Sequence, residues 1–308
     1  MKNVTISVAA AEFGRDMEAG YRTIANLVAT ARERGSQLLV LPEACLGGYL
    51  PSLGGGDESD EAKARRLRSL PPALELDGPE LRRVIDMAGD LVITLGFCEA
   101  DGDVRYNTAV TLSGDGILGS YRKVHQPLGE NLCYAAGDTY RAFDTPVGRM
   151  GMQICYDKAF PEAARLLALD GAEIVTSLSA WPTSRTATVE NLEDDRWKQR
   201  FDIFDRARAV ENQIVWVAAN QAGTFGSLRF VCSAKIVGPG GEILATTGVE
   251  PGLATATVDV AEVLGLARGG GMYNLRDRRP DLYHDVIAEF GVVGQPGIPN
   301  EVLETVNA

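Results

Sequence analysis

Histidine is nearly missing from this chain: His125 and His284 are the only two in 308 residues. A Cys-His or Ser-His-Asp mechanism would have to rest on one of them. The five cysteines, Cys45, Cys98, Cys133, Cys155 and Cys232, are odd in number and widely spaced, with no Cys-x-x-Cys or Cys/His pattern. That excludes a disulfide framework and a structural zinc site, so any special cysteine is special for its reactivity. Positive charge is also short, with 30 Lys+Arg against 42 Asp+Glu and a net charge of -12. Such a surface repels a phosphate backbone or an anionic membrane, and no basic run overcomes it. Nucleic acid and membrane are therefore not expected partners. A long uncharged apolar stretch is lacking as well, so no transmembrane helix is expected. The first residues alternate as Val4-Thr5-Ile6-Ser7-Val8, a strand pattern too short and too polar for a signal peptide. The expected location is the cytoplasm.

What is present is ample core material, 45% hydrophobic residues, enough for one large domain or two ordinary ones. After the first strand, Met17, Tyr21, Ile24, Val28 and Ala31 recur at helical spacing and the segment closes on Arg34-Gly35. Leu38-Leu39-Val40-Leu41 is a continuous apolar run halted by Pro42, as in a strand covered on both faces. The segments 91–97 and 106–112 read as adjacent antiparallel strands. In the second half, 149–154 and 174–178 read as strands around a helix from Pro161 to Leu169. A further helix carries Trp197, Phe201, Phe204, Ala207 and Val210 on one face and leads into a strand over 214–219. A hairpin turns at Gly238-Pro239-Gly240-Gly241, and Ala254 to Val260 forms a last strand. This order gives an α/β fold with helices layered over mixed sheet. Pro51 to Gly56 and the charged stretch to Arg68 read as an exposed loop with a short helix. From Gly269-Gly270-Gly271 onward periodicity fades. The chain divides into one domain over 1–268 and a tail over 269–308 that packs elsewhere.

Three reactive side chains follow apolar strands, at loops that open into the crevice where α/β sheets bind ligands. They are Glu43, Lys123 and Cys155. Cys155 stands at a strand-to-helix turn near free amides, a setting that favours thiolate. Glu43 can take a proton from a thiol and hand it to a leaving amine. Lys123 offers a cation for an oxyanion.

The segments Leu41-Pro42-Glu43, Tyr121-Arg122-Lys123 and Cys155-Tyr156-Asp157 with Phe160-Pro161-Glu162 together resemble the three signatures of the nitrilase superfamily, the carbon–nitrogen hydrolases. The resemblance implies a four-layer αββα sandwich and a Glu-Lys-Cys triad, with Glu43 as base, Lys123 as oxyanion stabiliser and Cys155 as nucleophile. It also implies that Glu130 assists the lysine or orients substrate, and that the backbone N–H of Tyr156 is an oxyanion donor. Arg278 to Tyr283 is similar to the tail segment that members use between subunits, so a homodimer or higher homo-oligomer is implied. Asp157 and Glu162 are expected to fix the turn, and Cys45 to pack. No metal or organic cofactor is needed.

True nitrilases in this family show Cys-Trp-Glu at the nucleophile, whereas this chain has Cys155-Tyr156-Asp157, similar to the amidase and carbamoylase branches. The implied substrate is a small amide or N-carbamoyl compound, with a nitrile as the alternative and a non-catalytic binding member as the alternative of another class. Carbamoylases place an arginine pair after the aspartate to hold a carboxylate; Lys158 and Ala159 stand there, leaving Lys158 as a weaker substrate-binding candidate. Tyr49, Tyr134 and Trp181 are the remaining pocket candidates and suit an apolar or aromatic acyl group.

Overall fold

The computed structural model describes residues 3–54 and 59–283. The first half of the chain runs β1 (Asn3–Ala11), α1 (Met17–Glu33), β2 (Leu38–Val40), α2 (Asp60–Arg68), α3 (Pro79–Ala88), β3 (Val92–Asp101), β4 (Val104–Ser113) and β5 (Gly116–Arg122). Then come β6 (Phe143–Thr145), β7 (Gly148–Ile154), α4 (Pro161–Leu169), β8 (Ile174–Ser179), α5 (Arg196–Asn212) and β9 (Val215–Gln221). A small ribbon, β10 (Thr224–Phe225) with β11 (Leu228–Arg229), precedes β12 (Lys235–Val237), β13 (Ile243–Thr246), β14 (Gly252–Asp259) and α6 (Val260–Gly269).

Twelve strands are hydrogen-bonded, nine in the order β5-β4-β3-β2-β1-β9-β8-β7-β6, with β14 on β1, β12 on β9 and β13 on β12. The pairs β1–β2, β2–β3, β7–β8 and β8–β9 are parallel. The link in the middle is slight: β1 meets β9 only at Ala10↔Asn220 and Ala11↔Gln221. About that seam the two halves fold face to face, so that β3 and β4 lie against β8 and β7. There the Thr111 hydroxyl points at the Met152 sulfur, 3.2 Å away.

Alternation along each strand supplies two faces. Val4, Ile6, Val8 and Val40 look inward to meet Met150, Met152 and Ile154 from the opposite half. Ala9, Leu39, Ile93 and Leu95 look outward onto Tyr21, Ile24 and Val28 of α1 and Leu81 and Val84 of α3. With α4 and α5 against the outer face of the second half, the layers are helix, sheet, sheet, helix. The expected αββα sandwich is therefore present. Leu38 to Leu41 are fully buried because both faces of β2 are covered.

Helix ends follow their capping chemistry. Asp16 accepts the Ala19 N–H at 3.0 Å to start α1, and Gly35 leaves it at φ 71. The final strand stops one residue short of the expected Val260, because Asp259 accepts the Glu262 N–H at 3.0 Å and starts α6 instead. Both α6 and α3 went unread in the sequence. In α3 the buried set is only Leu81, Val84 and Ala88, thinly spaced among charges.

The face of α5 differs from the sequence expectation. Phe201 is buried, but Val210 is 43% exposed, and the side toward the sheet carries Lys198, Asp205, Arg208, Ala209 and Asn212. Buried charge pairing accounts for this. Asp205 receives Lys158 Nζ at 2.5 Å, Lys235 Nζ at 2.9 Å and Trp216 Nε1 at 2.9 Å. Both ammonium groups also sit over the Phe201 ring, 3.4 and 4.3 Å from its centre.

Of the expected tail, residues 270–283 begin against their own chain. Asn274 N–H donates to Gln213 Oε1 at 2.8 Å, and Gln213 Nε2 donates to the Met272 carbonyl at 2.9 Å. His284 and the rest of the tail, like Gly55 and Gly56 of the expected loop, lie outside the described residues.

Removing Asp205 leaves two buried ammonium groups without their shared counter-charge. Asp205→Ala is expected to lower the unfolding free energy by about 3–5 kcal/mol. Urea denaturation measures this, and a loss below about 1 kcal/mol, the value of a surface pair, would show that the network carries little.

Candidate active site

The parallel strands β2, β7 and β8 end at the same edge of the sandwich, and β5, antiparallel to β4, runs the same way. Their C-terminal loops therefore converge. The first delivers Glu43 after Pro42, with Ala44 in the left-handed region at φ 53. This backbone crosses β3 so closely that a Cβ on Gly96 would stand 2.6 Å from Ala44 N and 2.9 Å from Glu43 Cα. Only glycine fits there.

Glu43 is held from four directions. Its Oε1 accepts Lys123 Nζ at 2.9 Å and Asn107 Nδ2 at 2.7 Å. Its Oε2 accepts the Ala180 N–H, after β8, at 2.6 Å, and its carbonyl accepts Gln221 Nε2 at 2.9 Å. Lys123 follows β5, where its N–H is fixed to the Asn107 carbonyl at 2.8 Å. Its Nζ reaches a second carboxylate, lying 2.9 and 2.8 Å from the two oxygens of Glu130 in the short 3₁₀ turn Leu128–Leu132. The Tyr49 hydroxyl donates to Glu130 as well. Glu43, Lys123 and Glu130 are each 0% exposed.

Cys155 opens the 3₁₀ turn Cys155–Ala159 directly after β7, at φ 50, where an L-residue pays about 1 kcal/mol. Asp157 holds the turn in place. Its Oδ2 accepts the Ile154 N–H at 3.0 Å and the Tyr121 hydroxyl at 2.6 Å, while Oδ1 accepts the His125 N–H and the Tyr140 hydroxyl, both at 2.9 Å. His125 thus serves the aspartate, with Nδ1 3.0 Å from the same oxygen. Behind the turn, Arg208 of α5 donates to the Lys158 and Ala159 carbonyls at 2.8 and 3.2 Å. Tyr156 lies in the first residues of a helical turn, whose N–H groups have no acceptor within the turn.

Burial pushes the Cys155 thiol well above its ordinary range, and the Glu43 carboxylate raises it further against the opposing pull of Lys123. The thiolate expected from the turn geometry is therefore not favoured, because desolvation outweighs the local amides. Burial also opposes the Lys123 charge, yet Glu130 and Glu43 override it and raise the lysine. Glu130 is pushed up to about 7 by burial, with Lys123 restraining the rise and Glu43 adding to it. Burial beside Glu130 keeps the Tyr49 hydroxyl protonated.

A cavity of about 700 Å³ opens onto Cys155, walled by Tyr49, Leu53, Tyr156, Trp181, Trp197 and Phe204, with Gln126, Ala180 and Arg200 also lining it. Of the pocket residues expected from sequence, Tyr49 and Trp181 face it, and Tyr156, expected only as a backbone donor, lines it too. Tyr134 is buried instead beside Leu53, Cys98 and Leu228, with its N–H on the Glu130 carbonyl at 3.0 Å. Lys158 is corrected: it is fully buried against Asp205 and Phe201, turned away from the cavity by that pairing. Sequence reading missed Asn107, Gln221 and the Ala180 amide. Trp197 and Phe204 carried a signal, since they stand seven apart on one helix face. Among the described residues, no group of three or more His, Cys, Asp or Glu is arranged to hold a metal ion.

With the thiol protonated in the free protein, alkylation of Cys155 by iodoacetamide is expected to climb through pH 7–10 without a plateau, because its folded pKa lies above the ordinary value. Lys123→Met removes a cation that favours the thiolate and is expected to slow alkylation further. Peptide mass spectrometry against pH checks both, and a plateau near pH 7 would establish a preformed thiolate.

Residues 6–268 match the family described as carbon-nitrogen hydrolase. A probable nitrilase of Schizosaccharomyces pombe is 33% identical over 219 residues, covering 69% of this chain and 76% of its own length. An N-carbamoylputrescine amidase of Solanum tuberosum is 30% identical over 305 residues, 92% of this chain and 95% of that one. A solved structure of an amidase mutant from Nesterenkonia sp. AN1, with the acetamide moiety of fluoroacetamide added covalently at the active-site cysteine, superposes with a TM-score of 0.68. It is 26% identical, covering 92% of this chain and 96% of that one.

Proposed function

We propose, from the premise that this chain belongs to the carbon–nitrogen hydrolase family, that it hydrolyses small amides or N-carbamoyl compounds through a thioester on Cys155. The observation that carries this reading is the fully buried Glu43–Lys123–Glu130 cluster beside a cysteine that opens to a cavity. A protein that only bound ligands would gain nothing from burying two carboxylates and an ammonium at this edge. The raised thiol fits the same reading, since a protonated nucleophile needs the adjacent base.

In the proposed sequence, Glu43 takes the Cys155 proton as sulfur attacks the amide carbon, and the carbonyl oxygen becomes an oxyanion. Lys123 and the Tyr156 N–H stabilise that charge. When the C–N bond breaks, Glu43 returns the proton and the nitrogen leaves as ammonia. Water then gives a proton to Glu43 and adds to the thioester. Collapse of the second oxyanion breaks the C–S bond, sulfur recovers its proton, and the carboxylic acid departs. Lys123 stays charged throughout, held by Glu130. Because one carboxylate acts twice, Glu43→Gln removes both steps, whereas Glu130→Gln weakens the hold on Lys123 and leaves the proton route in place.

The aromatic walls support an apolar or aromatic acyl group. A screen of amides, ureido compounds and nitriles with ammonia detection tests the reading. Cys155→Ala is expected to lower turnover by about a thousandfold or more with the fold retained. Full activity in that variant would overturn the mechanism, and acid formed faster from a nitrile than from its matching amide would move the substrate class to nitriles. Met272, Leu282 and Tyr283 are exposed and support contact between the segment from Gly269 onward and a second copy of the chain. Light scattering at the monomer mass would refute that contact.

A further inference from the structure

We propose that Arg200 makes the cavity selective for amides carrying a carboxylate at the end remote from the scissile bond. This rests on the amidase reading above and adds the charge of the substrate to it. Arg200 is the one charged residue among those lining the cavity. On α5 it stands three residues after Trp197 and four before Phe204, so all three share one helix face. The cation is thus bracketed, about one turn away on each side, by rings that wall the same space.

An exposed arginine on a helix is ordinarily just solvated, so its surroundings decide the matter. The other arginines of α5 are engaged. Arg196 donates to Ser184 Oγ at 2.9 Å, Arg206 to the Gly241 carbonyl at 2.8 Å, and Arg208 to the Lys158 carbonyl and to Glu211 Oε1, both at 2.8 Å. The Arg200 guanidinium has no hydrogen bond, ion pair or ring contact among the described residues, in a chain whose net charge is -12. Acidic side chains are plentiful, and none neutralises it. A guanidinium presents a planar fork of donors that matches a carboxylate. Lys158, where the sequence offered a carboxylate partner, cannot serve, because Asp205 holds it outside the cavity. The ligand described by these walls has a reactive amide at Cys155, an apolar middle among Trp181, Trp197 and Phe204, and an anionic end at Arg200.

Three amides of matched length separate the possibilities: glutaramate with a terminal carboxylate, valeramide with none, and δ-aminovaleramide with an ammonium. The wild-type protein is expected to favour glutaramate over valeramide by about tenfold in kcat/KM, chiefly through KM, with δ-aminovaleramide poorest and the preference shrinking as salt is added. Arg200→Gln is expected to erase the preference, lowering kcat/KM for glutaramate about tenfold more than for valeramide, and Arg200→Lys to restore part of it. Equal or better turnover of the neutral or cationic amide by wild type, or an undiminished preference in Arg200→Gln, would overturn the proposal. Calorimetric binding of the three amides to Cys155→Ala, with and without Arg200→Gln, reads charge selectivity without catalysis. Should wild type hydrolyse none of them, the amidase reading is what has failed, and the binding order still decides the role of Arg200.

Discussion

Everything at this edge of the sandwich depends on one uneven set of buried charges: a single ammonium, Lys123, shared by the carboxylates of Glu43 and Glu130. Removing such groups from water costs several kcal/mol each unless they are closely paired and their remaining hydrogen bonds are met. The amide of Asn107, the Ala180 N–H and the Tyr49 hydroxyl meet those needs, and each arrives from a different segment. The imbalance also sets the state of the Cys155 thiol. With negative charge already in excess, a thiolate at Cys155 is disfavoured, and the carboxyl of Glu130 titrates near neutrality. A protonated thiol beside Glu43 is the resting arrangement that follows.

A second buried set has the opposite imbalance. Lys158 and Lys235 share Asp205, and Asp202, only partly buried, reaches Lys235 at 3.0 Å. This set lies behind the cysteine turn and is joined to it through the backbone of Lys158. The turn is therefore gripped on one side by Asp157 with its two tyrosines and on the other by Arg208 of α5. A backbone held at φ 50 needs such support on both sides.

The strands and the three reactive residues were legible because they depend on local pattern. Leu38 to Leu41 announced a doubly covered strand with Glu43 just beyond it, and Cys155 follows the buried end of β7, whereas Lys123 follows β5, a half-exposed edge strand. The helix face of α5 was not legible, because apolar spacing assumes that charges face water, whereas Asp205 and Arg208 find their partners forty or more residues away or across a turn. Lys158 misled for the same reason. The thiolate expectation failed because turn amides are visible in a sequence and desolvation is not. Asn107 and Gln221 sit inside strands with nothing to mark them. Gly96 carries its reason only in the backbone that crosses it.

The narrow joint between the two halves of the sheet has one more consequence. Glu43 and Lys123 leave strands of the first half, whereas Cys155 and the Ala180 amide leave strands of the second, and β1 and β9, which join the halves in the sheet, pair at only two residue pairs. Neither half by itself brings Cys155 together with Glu43. The proposed reaction therefore needs the closed sandwich, and the placement of Glu43 against the Cys155 sulfur depends on how one sheet seats on the other. Packing changes in the inner layer, around Thr111 and Met152, would reach the proposed chemistry as a change of registration between two plates, at a contact outside the residues that line the cavity.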